Sequence, residues 1–356
     1  MRDFSFVDSV NSLRHLLSGI LIMGSLAVHG QYGGSYTYAY LQLPPSARIS
    51  GLGGLNVSTF DNDVTFGYMN PALLNSAMDG AVSVNHAFLP SGITHGFAAY
   101  GKQLSKWNAT MGGGILYRTY GTMPMTDPSG ITLGNFSGSE YVAAWGIGYG
   151  TGKLRYGANA KALYSRLESY FSFGIAADIG MAYVDTAHLF TAGLVLRNIG
   201  TQFKPYVDGY FEDIPFSIDL GVSQRLRHLP LRLSFTLHDL QQFDIRYDDP
   251  NAAEQVNIFS ADTATVEKNY TVDKIAQHLN VAGEFYFGKN VMVRAGYDHM
   301  TRREMSVETR RGLTGFSLGF GMAIKRYRID YGHEFYSLAG GSHHITIAAN
   351  LNEILK

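Results

Sequence analysis

The chain has 356 residues, only 16% of them charged, with a formal net charge of −1, no cysteine, and an abundance of glycine (41), tyrosine (23) and phenylalanine (21). Soluble domains carry about 25% charged residues, and a near-neutral chain without a basic stripe lacks the electrostatic footprint of a nucleic-acid partner. Without cysteine there is no disulfide, no thiolate chemistry and no lipid anchor on a cysteine. What the composition does fit is a set of strands with one face toward lipid and the other toward a polar interior.

In chain order, Arg14 and His15 precede a largely apolar run from Leu16 to Val28, followed by His29-Gly30. This reads as a signal peptide over 1–30, since the run is shorter than the roughly 20 residues a membrane helix needs. Residues 31–80 show no clean alternation. They hold Ser50-Gly51-Leu52-Gly53-Gly54, then Asp61 and Asp63, then Asn70-Pro71-Ala72. A segment of this length ahead of a barrel either hangs in the periplasm or folds into the lumen. Its small and scattered apolar residues suit a hatch or plug, with Pro71 in the first turn of a short helix and Asn70 as its cap.

From residue 81 the pattern becomes period two, as a strand between lipid and lumen requires. Phe316, Leu318, Phe320, Met322 and Ile324 alternate with Gly315, Ser317, Gly319, Gly321 and Ala323, and similar runs surround Phe173 and Phe216. The segments predict fourteen strands at 81–88, 92–101, 108–119, 139–150, 153–165, 171–184, 188–198, 214–226, 230–239, 277–287, 290–300, 313–324, 326–336 and 342–352. Every second connection is short, and the others include 120–138, 199–213, 240–276 and 301–312. The predicted fold is thus a fourteen-stranded antiparallel transmembrane β-barrel over 81–352, integral to a bacterial outer membrane, with long loops outside and the hatch ahead of it. Outward tyrosines form two girdles, Tyr149, Tyr156 and Tyr183 beside short turns, Tyr117, Tyr141 and Tyr164 near long loops.

Parity also sorts the charges. Arg155, Lys161, Arg197, Arg232, Arg294 and Arg328, with Asp178, Asp219, Glu284, Asp298, Asp330 and Glu334, all point inward. A pore selective for one ion sign carries rings of one charge, whereas balanced signs predict a cross-linked or plugged lumen. His343 and His344 alternate to opposite faces and cannot share a metal. No HExxH and no other metal spacing occurs, so neither metal nor cofactor is expected. Ser234, His238 and Asp219 fall inward on neighbouring strands, which a polar lumen produces without catalysis; the chain reads as a non-enzyme.

The loop 240–276 combines acidic residues, among them Asp248 and Asp249, with Tyr247, Phe259 and Tyr270. Loops of this length are functional or disordered, and the aromatics make this one a candidate docking platform for a surface partner, against the alternative of a solvated shield. Arg302, Arg303, Arg310 and Arg311 could meet lipopolysaccharide phosphates or form an exposed charged loop.

The run Ser46-Ala47-Arg48, Gly51 to Gly54, Asp61 to Asp63 and Asn70-Pro71-Ala72-Leu73-Leu74 resembles the hatch of FadL-type barrels, which have fourteen strands. More closely, Tyr38 to Ala47, FDNDVTFGYMNPALLN from Phe60 to Asn75, and LHDLQQFDIRYDDPN from Leu237 to Asn251 are similar to PorQ proteins of the type IX secretion system. That resemblance covers the whole mature chain. It implies a non-enzymatic outer-membrane subunit of an attachment complex, holding a PorZ-like surface protein beside PorU-like and PorV-like components. The FadL relationship implies an alternative, a transporter whose hatch moves to pass a hydrophobic molecule. One departure from common barrels is the ending Asn352-Glu353-Ile354-Leu355-Lys356, where an aromatic assembly signal is usual.

Overall fold

The computed structural model describes residues 36–245, 271–305, 312–337 and 340–355. The expected signal peptide, and Tyr247, Asp248, Asp249, Phe259 and Tyr270 of the expected docking loop, lie outside the described residues. Fourteen strands form: β1 Ala81–Phe88, β2 Thr94–Leu104, β3 Ala109–Thr126, β4 Thr132–Thr151, β5 Leu154–Leu167, β6 Tyr170–Asp185 and β7 Phe190–Lys204. The second half adds β8 Ser217–Arg225, β9 Leu231–Leu237, β10 Leu279–Phe287, β11 Val291–Asp298, β12 Phe316–Ile324, β13 Tyr327–Ser337 and β14 Gly340–Asn350. Each pairs antiparallel with its sequence neighbours, and β1 closes on β14 from Ala81↔Asn350 to Phe88↔His343. No described helix is long and apolar enough to cross a membrane.

Alternation becomes physical in the burial of the side chains. Ile115, Trp145, Ile179, Leu318 and Ile347 stand on the outer face, each more than half exposed to what lies outside the wall. An apolar outward band of this kind is stable only against lipid. Lys161, Asp178, Arg294 and Asp330, on inward parity, have no exposed side-chain surface at all. The connections 105–108, 152–153, 186–189, 226–230, 288–290 and 325–326 all lie at one end and none exceeds five residues. Long connections emerge only at the other end, as the alternation of short turns and long loops predicts. Tyr149, Tyr156 and Tyr183 are exposed beside short turns, and Tyr141 and Tyr164 are exposed toward the long-loop end.

Two expected loops are shorter than their sequence pattern implied. Within 120–138 the β3–β4 ladder continues through Thr122↔Ser137, Met123↔Phe136, Pro124↔Asn135 and Met125↔Gly134, leaving only 127–131 as a turn. This hairpin has no buried face along 120–136, so no apolar alternation marks it. Likewise β7 runs on to Lys204, paired with β6 after a register shift at Asn198, whose φ is 57°. In the other two, a helix at Thr271–Gln277 overlaps the end of 240–276, and another at His299–Glu304 overlaps 301–312. The last strand ends at Asn350, and a helical turn Leu351–Ile354 follows. Its first amide donates to Gly80 O at 2.8 Å, fastening the C-terminus to the base of the hatch.

Residues 36–80 fill the lumen. Tyr36 forms a parallel bridge with Asp213 at the long-loop end, while Asp79 is met by Lys102 and Asn352 at the short-turn end. Between them Tyr40, Ile49, Phe66, Met69 and Leu73 are fully buried and pack with barrel residues such as Leu116, Val142 and Val195 in one core. The inward glycines make the seat. A methyl on Gly157 would lie 2.3 Å from Pro71 C, one on Gly180 2.1 Å from Asn70 Oδ1, and one on Gly193 2.2 Å from Val57 O. The hatch backbone lies directly on the wall at these points, which explains why so many inward positions are glycine.

Candidate functional site: an ion-clamped hatch and the cavity above it

The hatch is shaped locally by short polar side chains. Ser46 caps the turn Ala47–Ser50, and Gly53 and Gly54, at φ 86° and 81°, close it through Gly53 N to Ser50 O and Gly54 N to Ile49 O, both 3.0 Å. Positive φ is the reason glycine stands there. Asp61 accepts from Asp63 N at 3.1 Å, and Asp63 accepts from Thr65 N at 3.1 Å, a pair of side-chain turns. Asn70 accepts from Ala72 N and donates to Val57 O, each at 3.0 Å, so it caps the 3-10 turn Pro71–Leu73 while tying it to the preceding segment of the hatch.

These turns deliver Arg48, Asp61 and Asp63 to one place. The Arg48 guanidinium holds Glu284 of β10 through two bonds of 3.0 and 2.8 Å, and also reaches Asp61 at 2.7 Å and Asp63 at 3.3 Å. Arg232 on β9 meets Asp61 at 2.9 Å and Glu284 at 3.3 Å; Arg328 on β13 meets Asp63 at 2.5 Å and Asp330 at 2.7 Å. Arg294 on β11 closes the network on Glu284 and Asp330, both at 2.7 Å. Four arginines face four carboxylates. Burial pushes the Asp61 and Asp63 carboxyls up, but the arginines, Arg48 and Arg232 for the first and Arg328 and Arg48 for the second, hold both below the usual carboxylate range. Charges this deeply buried are tolerable because each is multiply paired.

A second group lies across the lumen. Lys161 bonds Asp178 at 2.8 Å and Asn198 at 2.9 Å, Arg197 meets Asp219 at 3.2 Å, and Arg155 donates to Ala72 O at 3.1 Å and Leu74 O at 2.5 Å. Two predicted charges stand apart from both networks. Asp298 faces His238 at 3.5 Å and accepts from Thr301 N at 2.7 Å, and Glu334 accepts from Ser342 at 3.1 Å. Of the glycines in the hatch motif, Gly51 packs on Gly319, Gly53 on Asn280, and Gly54 beside Glu334. Arg48 is the residue sequence reading missed as a hub. It was visible within the hatch motif, but nothing in the sequence pairs it with Glu284.

Above the hatch, toward the long-loop end, lies a cavity of about 390 Å³, inside the roughly 300–1,000 Å³ range of small-molecule sites. Its floor is hatch backbone and side chains, Leu43, Pro44 and Gly53 to Leu55; its walls include Leu89, Arg118, Met300, Phe316, Glu334 and His344. His238 borders it, with Nδ1 2.9 Å from Asp239 and Nε2 3.5 Å from Asp298. Ser234 instead bonds Ser223 at 2.8 Å, and Asp219 serves Arg197 and Ser217, so the three are not assembled as a nucleophilic triad. His344 is buried while His343 bonds Tyr331 on the outer side at 2.8 Å. Among the described residues no three metal-liganding side chains converge.

The chain has the fold of FadL-like outer-membrane barrels, a closed fourteen-stranded antiparallel barrel, with its lumen filled by the preceding segment. Among solved structures it is similar to the P. putida toluene transporter TodX, at 12% identity and TM-score 0.52, over 87% of this chain and 99% of that one. It is also similar to the Ralstonia pickettii toluene transporter TbuX, at 11% identity and TM-score 0.50, over 88% of this chain and 98% of that one. At such identities the likeness is one of fold. No protein-family model and no curated protein matches the chain.

Proposed function

We propose that this barrel passes a small, largely apolar molecule across the outer membrane without transforming it, the hatch acting as the gate. The observation that carries the reading is the cavity itself: it lies toward the long-loop end, and its floor is the hatch. A molecule held there has the displaceable segment between it and the far side. The balanced charges and many glycines of the lumen are compatible with a gate: glycines seat the hatch and charges clamp it. The fold likeness to two proteins described as toluene transporters agrees.

Locking the hatch tests the reading. Ser58 of the hatch and Ser223 of β8 are 2.7 Å apart at their hydroxyls, and the chain has no cysteine of its own. With Ser58→Cys and Ser223→Cys together, oxidation should abolish uptake of the hydrophobic dye N-phenyl-1-naphthylamine by cells carrying the barrel, and a reductant should restore it. Uptake that ignores the presence of the barrel, or the state of the lock, refutes transport.

A second reading, a scaffold that retains a PorZ-like surface protein, has one observation in its favour: Val207, Tyr210 and Phe211 in the 205–216 connection are exposed at the outer rim. Deleting 250–268, or replacing Tyr210 and Phe211 by serine, would then release such a partner after gentle detergent extraction while leaving the barrel inserted. Unchanged retention removes this reading.

A further inference from the structure

We infer that the molecule taken by this cavity carries a hydroxyl group on an apolar body, an alcohol or phenol rather than a plain hydrocarbon; the inference rests on the transport reading above and sharpens its substrate. Leu43, Leu55, Leu89 and Met300 supply an apolar wrap. Set into it are polar atoms with nothing to bond among the described residues. His344 is fully buried, and neither ring nitrogen has a partner. Ser317, 2% exposed, has an unpartnered hydroxyl, and Glu334 takes the Ser342 hydroxyl on Oε2 while Oε1 makes no hydrogen bond, with the Ser50 hydroxyl of the hatch nearby.

Each of these lines the cavity. Gly54 of the hatch lies against this carboxylate: a methyl group there would come within 3.3 Å of Glu334 Oε1. A buried acceptor or donor without a partner is costly, and a hydrocarbon ligand would satisfy none of the three. Their demands are complementary. Glu334 requires a donor, His344 offers one donor and one acceptor, and Ser317 can do either. A hydroxyl is the smallest group that answers both kinds. An anionic head would meet the Glu334 carboxylate, which has no ion pair among the described residues. A cationic head would meet Arg118, whose Nε is also unpartnered, and protonated His238, whose charge Asp239 and Asp298 already balance.

The test uses the purified full-length barrel in detergent and four matched probes: toluene, 4-methylphenol, 4-methylbenzoate and 4-methylbenzylamine, titrated calorimetrically. The expected result is 4-methylphenol bound at least about ten-fold more tightly than toluene, as one hydrogen bond to a charged acceptor provides. Both charged probes should bind more weakly than the phenol. Glu334→Leu should bring phenol and toluene to parity, chiefly by weakening the phenol. His344→Phe, which keeps an aromatic ring in place, should also narrow the gap and serves if the first variant does not fold. Toluene binding as tightly as the phenol, or either charged probe binding best, overturns the hydroxyl assignment and leaves transport standing. Binding of none of the four, together with dye uptake that ignores the hatch lock, overturns both.

Discussion

Replacing Arg48 by methionine should free the hatch without unfolding the barrel. The substitution leaves three arginines, Arg232, Arg294 and Arg328, against four carboxylates, Asp61, Asp63, Glu284 and Asp330. Breaking a buried ion pair costs about 3–5 kcal/mol. Every carboxylate that loses Arg48 keeps another arginine: Asp61 keeps Arg232 at 2.9 Å, Asp63 keeps Arg328 at 2.5 Å and Glu284 keeps Arg294 at 2.7 Å. The lower end, about 3 kcal/mol, therefore applies, and at about 1.4 kcal/mol per decade it shifts the docking equilibrium of the hatch about a hundred-fold. The chain has no cysteine, and Thr59 of the hatch is fully buried with an unbonded hydroxyl among the described residues, so Thr59→Cys introduces a nearly isosteric reporter thiol. Maleimide labelling of that thiol should accelerate by about two decades in the Arg48→Met background. Adding Glu284→Gln restores three against three and should recover part of the protection. Labelling within two-fold of the parent (roughly 0.4 kcal/mol) would show that the ion network does not hold the hatch.

Two further expectations follow from the seat and from the cavity rim. Gly157→Ala puts a methyl 2.3 Å from the Pro71 carbonyl carbon and should raise thiol labelling with every charge in place, whereas Gly283→Ala, whose nearest neighbours are 3.8 Å away, should leave labelling unchanged. His238 sits just beyond β9: burial pushes its imidazole down, but Asp239 and Asp298 outweigh this and push it up to about 10. A raised pKa means its stabilisation is complete below the ordinary value of 6.5 and lost as pH rises through about 10. The thermal midpoint of the detergent-solubilised barrel should accordingly fall across that interval, and His238→Gln should flatten the fall; equal slopes in both proteins would sink the assignment.

The strands were legible because lipid and lumen impose opposite demands on alternate residues, so Phe316 to Ile324 declares its own faces. Where both faces are wet, as in the β3–β4 hairpin beyond Thr119, the signal vanishes and the strand reads as loop. Part of the charge network was equally legible. Glu284 stands opposite Arg294 on one side and Arg232 on the other, pairings fixed once the short turns set the register. Arg48 was not. Its partner is 236 residues away, and the hatch has no repeat that would set its height in the lumen. The same blindness governs the cavity. His344 and Glu334 look like ordinary lumen filling in sequence, because parity tells inward from outward but not whether the space ahead is occupied. Only the hatch, whose Gly54 comes to the edge of Glu334, shows that this carboxylate is buried at the border of a cavity with Oε1 making no hydrogen bond among the described residues. The glycines of the hatch motif thus do two jobs: Gly51 closes the packing on Gly319, and Gly54 lets the hatch backbone come up against Glu334 at the floor of the cavity.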